Sequence, residues 1–168
     1  MGKGYITQAW LILTLALCFG AALAGMQIAV TDRIAQNKLN ETLNQIPQLV
    51  PAADEGRQIE RAGKTYYEAL ADGGTVGWVV PASGSGFAGP IEVLIGVDRD
   101  VERITGLYVL SQTETPGLGD KIRDEDWRSQ FADQPAEEFD VIKTGEAGQN
   151  EIQSLTGARI SSDAVARI

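Results

Sequence analysis

The sequence predicts an α+β protein in which an N-terminal transmembrane helix precedes an antiparallel-sheet domain with flanking helices. Residues 6–30 contain no charged side chain, residues 64–110 alternate β-rich runs with turn formers, and a small-residue loop opens a C-terminal helix. At 168 residues the chain has room for one domain plus an appendage. We divide it into an anchor at residues 1–31, an amphipathic connector helix at 32–53 and a folded domain at 54–168.

The uncharged run is long enough to cross a membrane. As a helix with a rise of about 1.5 Å per residue, residues 6–30 would extend about 37 Å, and the hydrocarbon core of a bilayer is about 30 Å thick. A cleaved signal peptide is the competing interpretation, because Ala22, Ala24 and Gly25 could form a cleavage site. The run is long for a signal peptide, so we predict an uncleaved single-pass anchor in the lipid bilayer.

A connector helix is expected directly after the anchor. Thr31 or Asp32 can cap its start, and Pro47 and Pro51 are expected to end it. Its apolar stripe has roughly helical spacing and consists of Ile34, Leu39, Leu43 and Ile46. The stripe packs on the chain's own domain or contacts partner subunits beside the membrane, and the sequence favours neither.

Four β-rich runs predict the antiparallel sheet, at residues 64–70, 75–80, 91–97 and 104–110. Turn formers join them in pairs, at residues 72–74 and 98–100. The glycine- and serine-rich segment between the pairs, residues 81–90, has no phosphate-binding glycine motif and is predicted to be a flexible loop. Further along, residues 124–131 predict a short helix with Trp127 and Phe131 on one face.

The composition excludes several classes of function. The chain has no histidine, which removes most catalytic triads, most zinc sites and c-type haem attachment. Its single cysteine, Cys18, cannot form an internal disulfide or hold an iron–sulfur cluster. The net charge of −9 argues against nonspecific nucleic-acid binding, because phosphate backbones select for Lys and Arg. We therefore predict no metal site and no nucleic-acid partner.

An abrupt turn signal lies between apolar runs at residues 113–122, which read TETPGLGDKI. Pro116 fixes φ for the second position of a type II turn, and Gly117 accepts the positive φ required at the third. Gly119 adds a point where the backbone could approach a flat ligand closely. Taken alone, such a segment is more often an ordinary loop that follows a strand.

A second segment, SLTGARISS at residues 154–162, offers small side chains and exposed backbone amides. Ser161 or Ser162 is predicted to cap the helix that follows, with Asp163 in its first turn. Free N–H groups at a helix start, together with the helix dipole, form a natural seat for a phosphate. An ordinary helix cap is the plainer interpretation of the two serines. Residues 139–142 form one more candidate strand.

Together the two segments resemble the FMN-binding domain shared by the G subunit of the Rnf electron-transport complex and the C subunit of the sodium-pumping quinone reductase. The string ETPGLG-x-KI looks like the family's own, and so does the glycine-rich loop that ends in Gly-Pro-Ile. In that family the second segment usually reads Asp-x-x-Ser/Thr-Gly-Ala-Thr, and its last threonine carries FMN through a phosphoester bond. The resemblance covers nearly the whole chain and implies that residues 54–168 are an FMN-binding domain.

The resemblance implies a flavin site built from both segments. Glu114 and Thr115 are candidates for hydrogen bonds to the flavin, and Leu118 for apolar contact with its ring. No residue of the chain is expected to be catalytic, because the cofactor does the redox work. The predicted cofactor-binding residues are Glu114, Thr115, Pro116, Gly117, Leu118, Gly119, Thr156, Gly157, Ala158, Arg159, Ser161 and Ser162.

Arg159 stands where the family has its flavin-carrying threonine, and Gln153 stands where it has the aspartate. Arginine cannot form the ester, which leaves several interpretations open. The guanidinium could pair with the phosphate of a noncovalently held FMN, or the domain could have lost its flavin and be structural. Arg159 could also be an engineered replacement, or the flavin could be attached to another hydroxyl, that of Thr156, Ser161 or Ser162.

The resemblance also implies a role in electron transport. The chain would be a membrane-anchored flavoprotein that relays electrons within an Rnf-type ion-translocating ferredoxin:NAD oxidoreductase. Its partners would be the other membrane and soluble subunits of the complex. It would lie in a bacterial inner membrane with its C-terminal domain on the outer, periplasmic side. The alternatives are a flavin-free assembly or scaffold subunit of the same complex, because of Arg159, and a stand-alone membrane-anchored FMN-domain protein.

Overall fold

The computed structural model describes the backbone of residues 3–168 and the side chains from residue 9 onward, so residues 1 and 2 of the predicted anchor lie outside the described residues. The chain divides into two compact units, Met1–Asn40 and Glu41–Ile168. The helices are α1 (Lys3–Leu49), α2 (Glu125–Arg128) and α3 (Arg159–Ala166). The strands are β1 (Glu55–Arg61), β2 (Lys64–Ala71), β3 (Gly74–Ser85), β4 (Pro90–Asp98), β5 (Ile104–Ser111), β6 (Asp140–Ile142) and β7 (Glu151–Gln153). The predicted α+β class is confirmed.

Helix α1 is long and apolar enough to cross a membrane. Every side chain from residue 9 to residue 38 is exposed, and Trp10, Leu17 and Ile28 are among the large apolar ones. A helix satisfies its own backbone hydrogen bonds, so such a segment is stable in lipid, where apolar side chains are favourably solvated. Within the described residues this is one N-terminal apolar helix, as predicted for a single anchor.

The end of α1 differs from the prediction, because Pro47 lies inside the helix instead of ending it. Proline in a helix removes one backbone hydrogen bond, and burial of the neighbouring apolar side chains offsets this loss. Ile46 is fully buried and Leu49 is 3% exposed, while Ile34 at the other end of the predicted stripe is 51% exposed. The C-terminal end of the stripe therefore packs on the chain's own domain. The division at residues 31 and 53 remains a prediction.

Strands β1 to β5 form one antiparallel sheet in sequence order. The four predicted strands are present, but β1 was not predicted. Its sequence, EGRQIER, is mostly polar and exposed because it lies at the sheet edge, so it carries only a weak hydrophobic alternation. A tight turn with positive φ at Ala62 and Gly63 joins it to β2.

The predicted flexible loop at residues 81–90 is wrong for most of its length. Strand β3 continues to Ser85, which pairs with Pro90 at the start of β4. Only the Gly86–Gly89 turn is left, and the Gly86 N–H donates to the Gly89 carbonyl at 2.8 Å. Pairing with the whole of β4 overrides the low strand propensity of glycine and serine.

Other elements of residues 41–168 pack on both faces of the sheet at β4 and β5. On one face, the inward side chains of β4 and β5 join a core with the C-terminal elements, of which the main aromatic members are Trp127, Phe131 and Phe139. On the other face, the end of α1 lies directly on the backbone of β4 and β5. There the Thr105 hydroxyl donates to the Leu49 carbonyl at 2.6 Å.

The segment between β5 and α3 is compact and irregular. The single helix predicted at residues 124–131 is a short α2 followed by a 3₁₀ turn at Ser129–Phe131. Trp127 and Phe131 do lie on one face, with ring centroids 5.4 Å apart. The strand predicted at residues 139–142 is present as β6, and it pairs in parallel with β7, a three-residue strand that was not predicted.

Candidate functional site

A pocket of about 490 Å³ lies where the two predicted segments meet. Ligand pockets in proteins typically measure about 300–1,000 Å³. Two of its lining residues, Phe87 and Ile160, were not predicted. The pocket is lined by Phe87, Glu114, Thr115, Leu118, Gly119, Gly157, Ala158, Arg159, Ile160 and Ser161. The fold therefore joins segments that are about 40 residues apart in the sequence into one concave surface.

The first wall of the pocket is the turn that follows β5. Gly117 has a φ of 77°, as the type II turn requires, and the Thr115 carbonyl accepts the Leu118 N–H at 3.2 Å. Gly119 lies so close to the opposite wall that an added Cβ would come 2.7 Å from Ser161 Oγ. Position 119 therefore requires glycine, because the two walls of the pocket approach each other closely there. Leu118, the preceding residue, lines the pocket and is 45% exposed.

Glu114 lies at the base of this turn and is only 4% exposed. Its Oε1 accepts the Ala88 N–H at 3.0 Å, and its Oε2 accepts the hydroxyl of Ser161. Its own backbone N–H donates to the side-chain carbonyl of Gln112. Both carboxylate oxygens therefore already bind groups of the protein itself.

The second wall is the start of α3, where the predicted capping is wrong. Gly157 turns the chain with a φ of 82°, Ala158 precedes the first helical residue, and Arg159 begins the helix. Ser161 and Ser162 lie within the helix and are buried. Because Gly157 makes the turn, the helix starts earlier than the serine pattern indicates.

The two serine hydroxyls stabilise the fold around the pocket. The Ser162 hydroxyl donates to the Ala158 carbonyl at 3.1 Å and accepts the Leu155 N–H at 3.0 Å. Ser161 is 2% exposed and donates to Glu114. Both hydroxyls are thus internal and hydrogen-bonded, which is unfavourable for either one as a flavin attachment point.

Arg159 is the pocket's cation. Its side chain is 50% exposed, and its Nε lies 3.6 Å from Asp163 Oδ2, one helical turn further on. Asp163 was predicted in the first turn of the helix but is its fifth residue, because α3 begins at Arg159. Arg159 is therefore held beside the helix N-terminus by an ion pair along the helix surface.

Some predicted site residues do not line the pocket. Pro116 and Gly117 shape the first turn, and Ser162 stabilises the second loop from behind. Thr156 is exposed but lies outside the lining. Phe87, which is 67% exposed, and Ile160, which is 56% exposed, are the lining residues that were missed. The sequence did contain a sign of both residues, because each is a large apolar side chain within a segment of small and polar residues.

Two ionisable groups with shifted pKa lie outside the pocket. A hydrogen bond from Thr75, and then one from Arg57, lower the pKa of Glu68. Burial, and then a hydrogen bond to Glu41, raise the pKa of Tyr108, whose hydroxyl donates to Glu41 Oε1 at 2.9 Å. Within the described residues, no group of three His, Cys, Asp or Glu side chains could hold a metal ion.

The lining of the pocket suits a flat ring that carries a phosphate, as FMN does. Phe87, Leu118 and Ile160 offer apolar surface to a ring, while Arg159 and the first N–H groups of α3 offer positive charge to a phosphate. Arg159, which stands at this place in the pocket, has no hydroxyl that could form a phosphoester.

The fold and this pocket are those of a protein of the FMN-binding-domain class. A family model described as "FMN-binding domain" matches residues 86–168. The chain is 32% identical over 152 residues to the G subunit of the proton-translocating ferredoxin:NAD(+) oxidoreductase complex of Clostridium ljungdahlii, across 89% of this chain and 80% of that protein. It is 31% identical over 166 residues to the G subunit of the ion-translocating oxidoreductase complex of Methanosarcina acetivorans, across 92% and 86% of the two chains. The chain belongs to this family of G subunits.

A solved structure shares the fold. The crystal structure of the C subunit of the Na(+)-translocating NADH-quinone reductase from Parabacteroides distasonis matches with a TM-score of 0.52 and 28% sequence identity. The match covers 61% of this chain and 55% of that chain. The predicted resemblance to the FMN-binding domains of these two kinds of complex is thereby confirmed.

Proposed function

We propose that this chain is the G subunit of an Rnf-type ion-translocating ferredoxin:NAD oxidoreductase and relays electrons through a noncovalently bound FMN. The observation that carries the proposal is the pocket, in which both family segments meet and Arg159 stands at the helix N-terminus. The sequence similarity to the G subunits of two such complexes supports the assignment to a complex.

The proposed roles of the residues follow from their place in the pocket. Arg159 and the first N–H groups of α3 bind the phosphate, since a guanidinium and a helix N-terminus both favour an anion. Leu118, Ile160 and Phe87 contact the ring and exclude water from its faces. Bound FMN would supply the redox chemistry, and the chain would hold it in a fixed orientation.

The proposed location is a bacterial inner membrane, with α1 as a single-pass anchor and the domain on the periplasmic side. The length and apolar character of α1 support the anchor, whereas the membrane and the side are what the resemblance to the family implies. In this arrangement the partners are the membrane and soluble subunits of the complex, and the lipid bilayer surrounds the apolar part of α1. Anchoring would keep the pocket close to the redox centres of those partners.

A flavin-free scaffold subunit of the same complex is the second candidate, and one observation favours it. Arg159 already has an ion-pair partner in Asp163, so its charge does not depend on a bound phosphate. Such a subunit would retain the fold and its contacts while the pocket stays empty of flavin.

The test is an intact mass of the protein purified from its native membrane, together with acid extraction of free flavin. Our proposal expects an unmodified mass and about one extractable FMN per chain. A mass increase of one FMN less water would instead show attachment at another hydroxyl. An unmodified mass without flavin, in a preparation whose partner subunits retain their cofactors, would overturn the relay in favour of the scaffold. Failure to co-purify with integral membrane partners would overturn the assignment to a complex.

A further inference from the structure

One buried carboxylate connects all three chain segments around the pocket. Glu114 belongs to the turn after β5, its Oε1 binds the backbone of Ala88 in the Gly86–Gly89 turn, and its Oε2 binds Ser161 in α3. We infer that Glu114 is a positioning residue that fixes the shape of the pocket through Ala88 and Ser161 rather than by contact with the ligand. We call these three residues the Glu114 link.

The surroundings of the carboxylate fit this role. Two glycines flank it, one beside each oxygen: a Cβ on Gly86 would overlap Oε1, and a Cβ on Gly119 would come 2.8 Å from Oε2. Any larger residue at either position would push the carboxylate away from its donors. The glycines therefore hold space for the Glu114 link and for the close approach of the two walls.

The electrostatics point the same way. Removing a carboxylate from water is costly unless hydrogen bonds compensate for the lost hydration. Glu114 is 4% exposed, and its partners in the structure are an N–H and a hydroxyl, both donors. Charge-assisted bonds of this kind are roughly twice as strong as neutral ones. A charge held in this way aligns the three segments, since each donor must stay within reach of one side chain.

The Glu114 link affects the pocket lining through residues that are adjacent in the sequence to Ala88 and Ser161. Phe87, which lines the pocket, directly precedes Ala88, and Arg159 and Ile160 directly precede Ser161. Loosening Glu114 would therefore displace an apolar wall and the cationic helix start together. Only a fraction of the molecules would then have the pocket in its binding shape, and the apparent affinity would fall by that fraction.

The test uses the full-length chain in nanodiscs and compares Ser161→Ala with Ser162→Ala. Each variant removes one buried serine hydroxyl of α3, but only the Ser161 hydroxyl contacts Glu114. Amide hydrogen exchange of Ala88 is measured at single-residue resolution, and FMN affinity by quenching of flavin fluorescence. The Ala88 amide lies on a different segment, so a merely local role of Ser161 in α3 would not change its exchange.

We expect Ser161→Ala to accelerate exchange of the Ala88 amide and to weaken FMN binding, each about tenfold, the effect of losing about one net hydrogen bond. Ser162→Ala should leave Ala88 exchange within about twofold of the unmodified chain. Unchanged Ala88 exchange in Ser161→Ala, or equal acceleration in both variants, would overturn the inference.

Two substitutions at position 114 keep the test decisive if Ser161→Ala does not fold. Glu114→Asp retains the charge but is one methylene shorter, so it should accelerate Ala88 exchange as Ser161→Ala does. Glu114→Gln retains the length and one carbonyl acceptor for Ala88, so FMN affinity should stay within about threefold. A loss of FMN binding in Glu114→Gln with normal Ala88 exchange would instead show that the carboxylate contacts the ligand.

The FMN measurement rests on the proposed function, whereas the exchange measurement does not. If the unmodified chain does not bind FMN, the proposed cofactor is wrong, but Ala88 exchange still tests the Glu114 link. If the unmodified chain binds FMN and Ser161→Ala leaves Ala88 exchange unchanged, the link is wrong and the proposed function stands.

Discussion

The role of Arg159 gives the sharpest prediction, because FMN and riboflavin differ only in the phosphate. If the guanidinium binds that phosphate, Arg159→Ala should weaken FMN binding and leave riboflavin binding unchanged. A net hydrogen bond to a charged group contributes about 1.5–3 kcal/mol. The side chain is 50% exposed, so solvent screening favours the lower end of this range. A loss of about 1.4 kcal/mol corresponds to a tenfold higher Kd.

The same substitution should hardly change the stability of the fold. The ion pair of Arg159 with Asp163 spans 3.6 Å on the helix surface, and exposed pairs at this spacing contribute about 0.3–0.5 kcal/mol. We therefore expect a change of only about 1–2 °C in the Tm of the ligand-free protein. Affinity and stability should thus respond separately.

The assay is a fluorescence titration of the full-length chain in detergent with each flavin, at two salt concentrations. Arg167→Ala is the matched control, because Arg167 directly follows α3, is exposed and does not line the pocket. FMN affinity of the unmodified chain should fall with added salt, since salt screens charge pairs at the surface. Equal losses for FMN and riboflavin in Arg159→Ala, or no loss for either, would refute the phosphate contact.

Three further predictions test the packing and the hydrogen bonds of the domain. Gly119→Ala should weaken FMN binding at least tenfold, because the alanine Cβ would come 2.7 Å from Ser161 Oγ. If a titration gave the same FMN affinity for this variant and the unmodified chain, the two walls of the pocket would be able to separate. Ile46→Ala should lower the free energy of unfolding by about 2–5 kcal/mol, since removal of this fully buried side chain would leave a cavity. A loss below about 1 kcal/mol in urea denaturation would contradict the packing of Ile46 on the sheet. Thr75→Ala should destabilise the protein at pH 7, because the Thr75 hydrogen bond lowers the pKa of Glu68 and so adds stability while the carboxylate is ionised. The difference should shrink as the pH falls below the ordinary Glu pKa of about 4.3 and should be lost once the pH passes below the lowered pKa of the folded protein. A destabilisation that is independent of pH would contradict this role of Thr75.

The elements that the sequence predicted well are those with a strong local signal. The run at residues 91–97 consists mostly of β-branched and other apolar residues, and the turn at residues 72–74 contains two glycines, so β4 and the β2–β3 hairpin could be located directly. The uncharged run likewise indicated the N-terminal helix. By contrast, β1 and β7 are stabilised by pairing with a neighbouring strand, and such long-range pairing is not visible in a short polar segment.

The sequence was sufficient to predict the two motifs of the site, but not how the pocket around them is arranged. The resemblance led to residues 113–122 and 154–162, and the fold brings the two segments together around one pocket. Phe87 was missed because it comes from a third segment, which was predicted to be a flexible loop. The start of α3 was misplaced by the two serines, since a hydroxyl near a helix start can bind a buried carboxylate instead of the helix backbone.

The end of α1 lies close to Gly96 and Gly106, and this contact determines where a version of the domain without its anchor should begin. An added Cβ at Gly96 would come 2.5 Å from the Leu49 carbonyl, so the end of α1 lies against bare backbone. A fragment that begins at residue 54 would leave this face of the sheet uncovered and would lose the buried Ile46 and Leu49. Exposed apolar sheet surface of this kind promotes aggregation. A water-soluble version should therefore begin after the uncharged run at residues 6–30 and no later than Glu41, so that it retains the end of α1 that packs on the sheet.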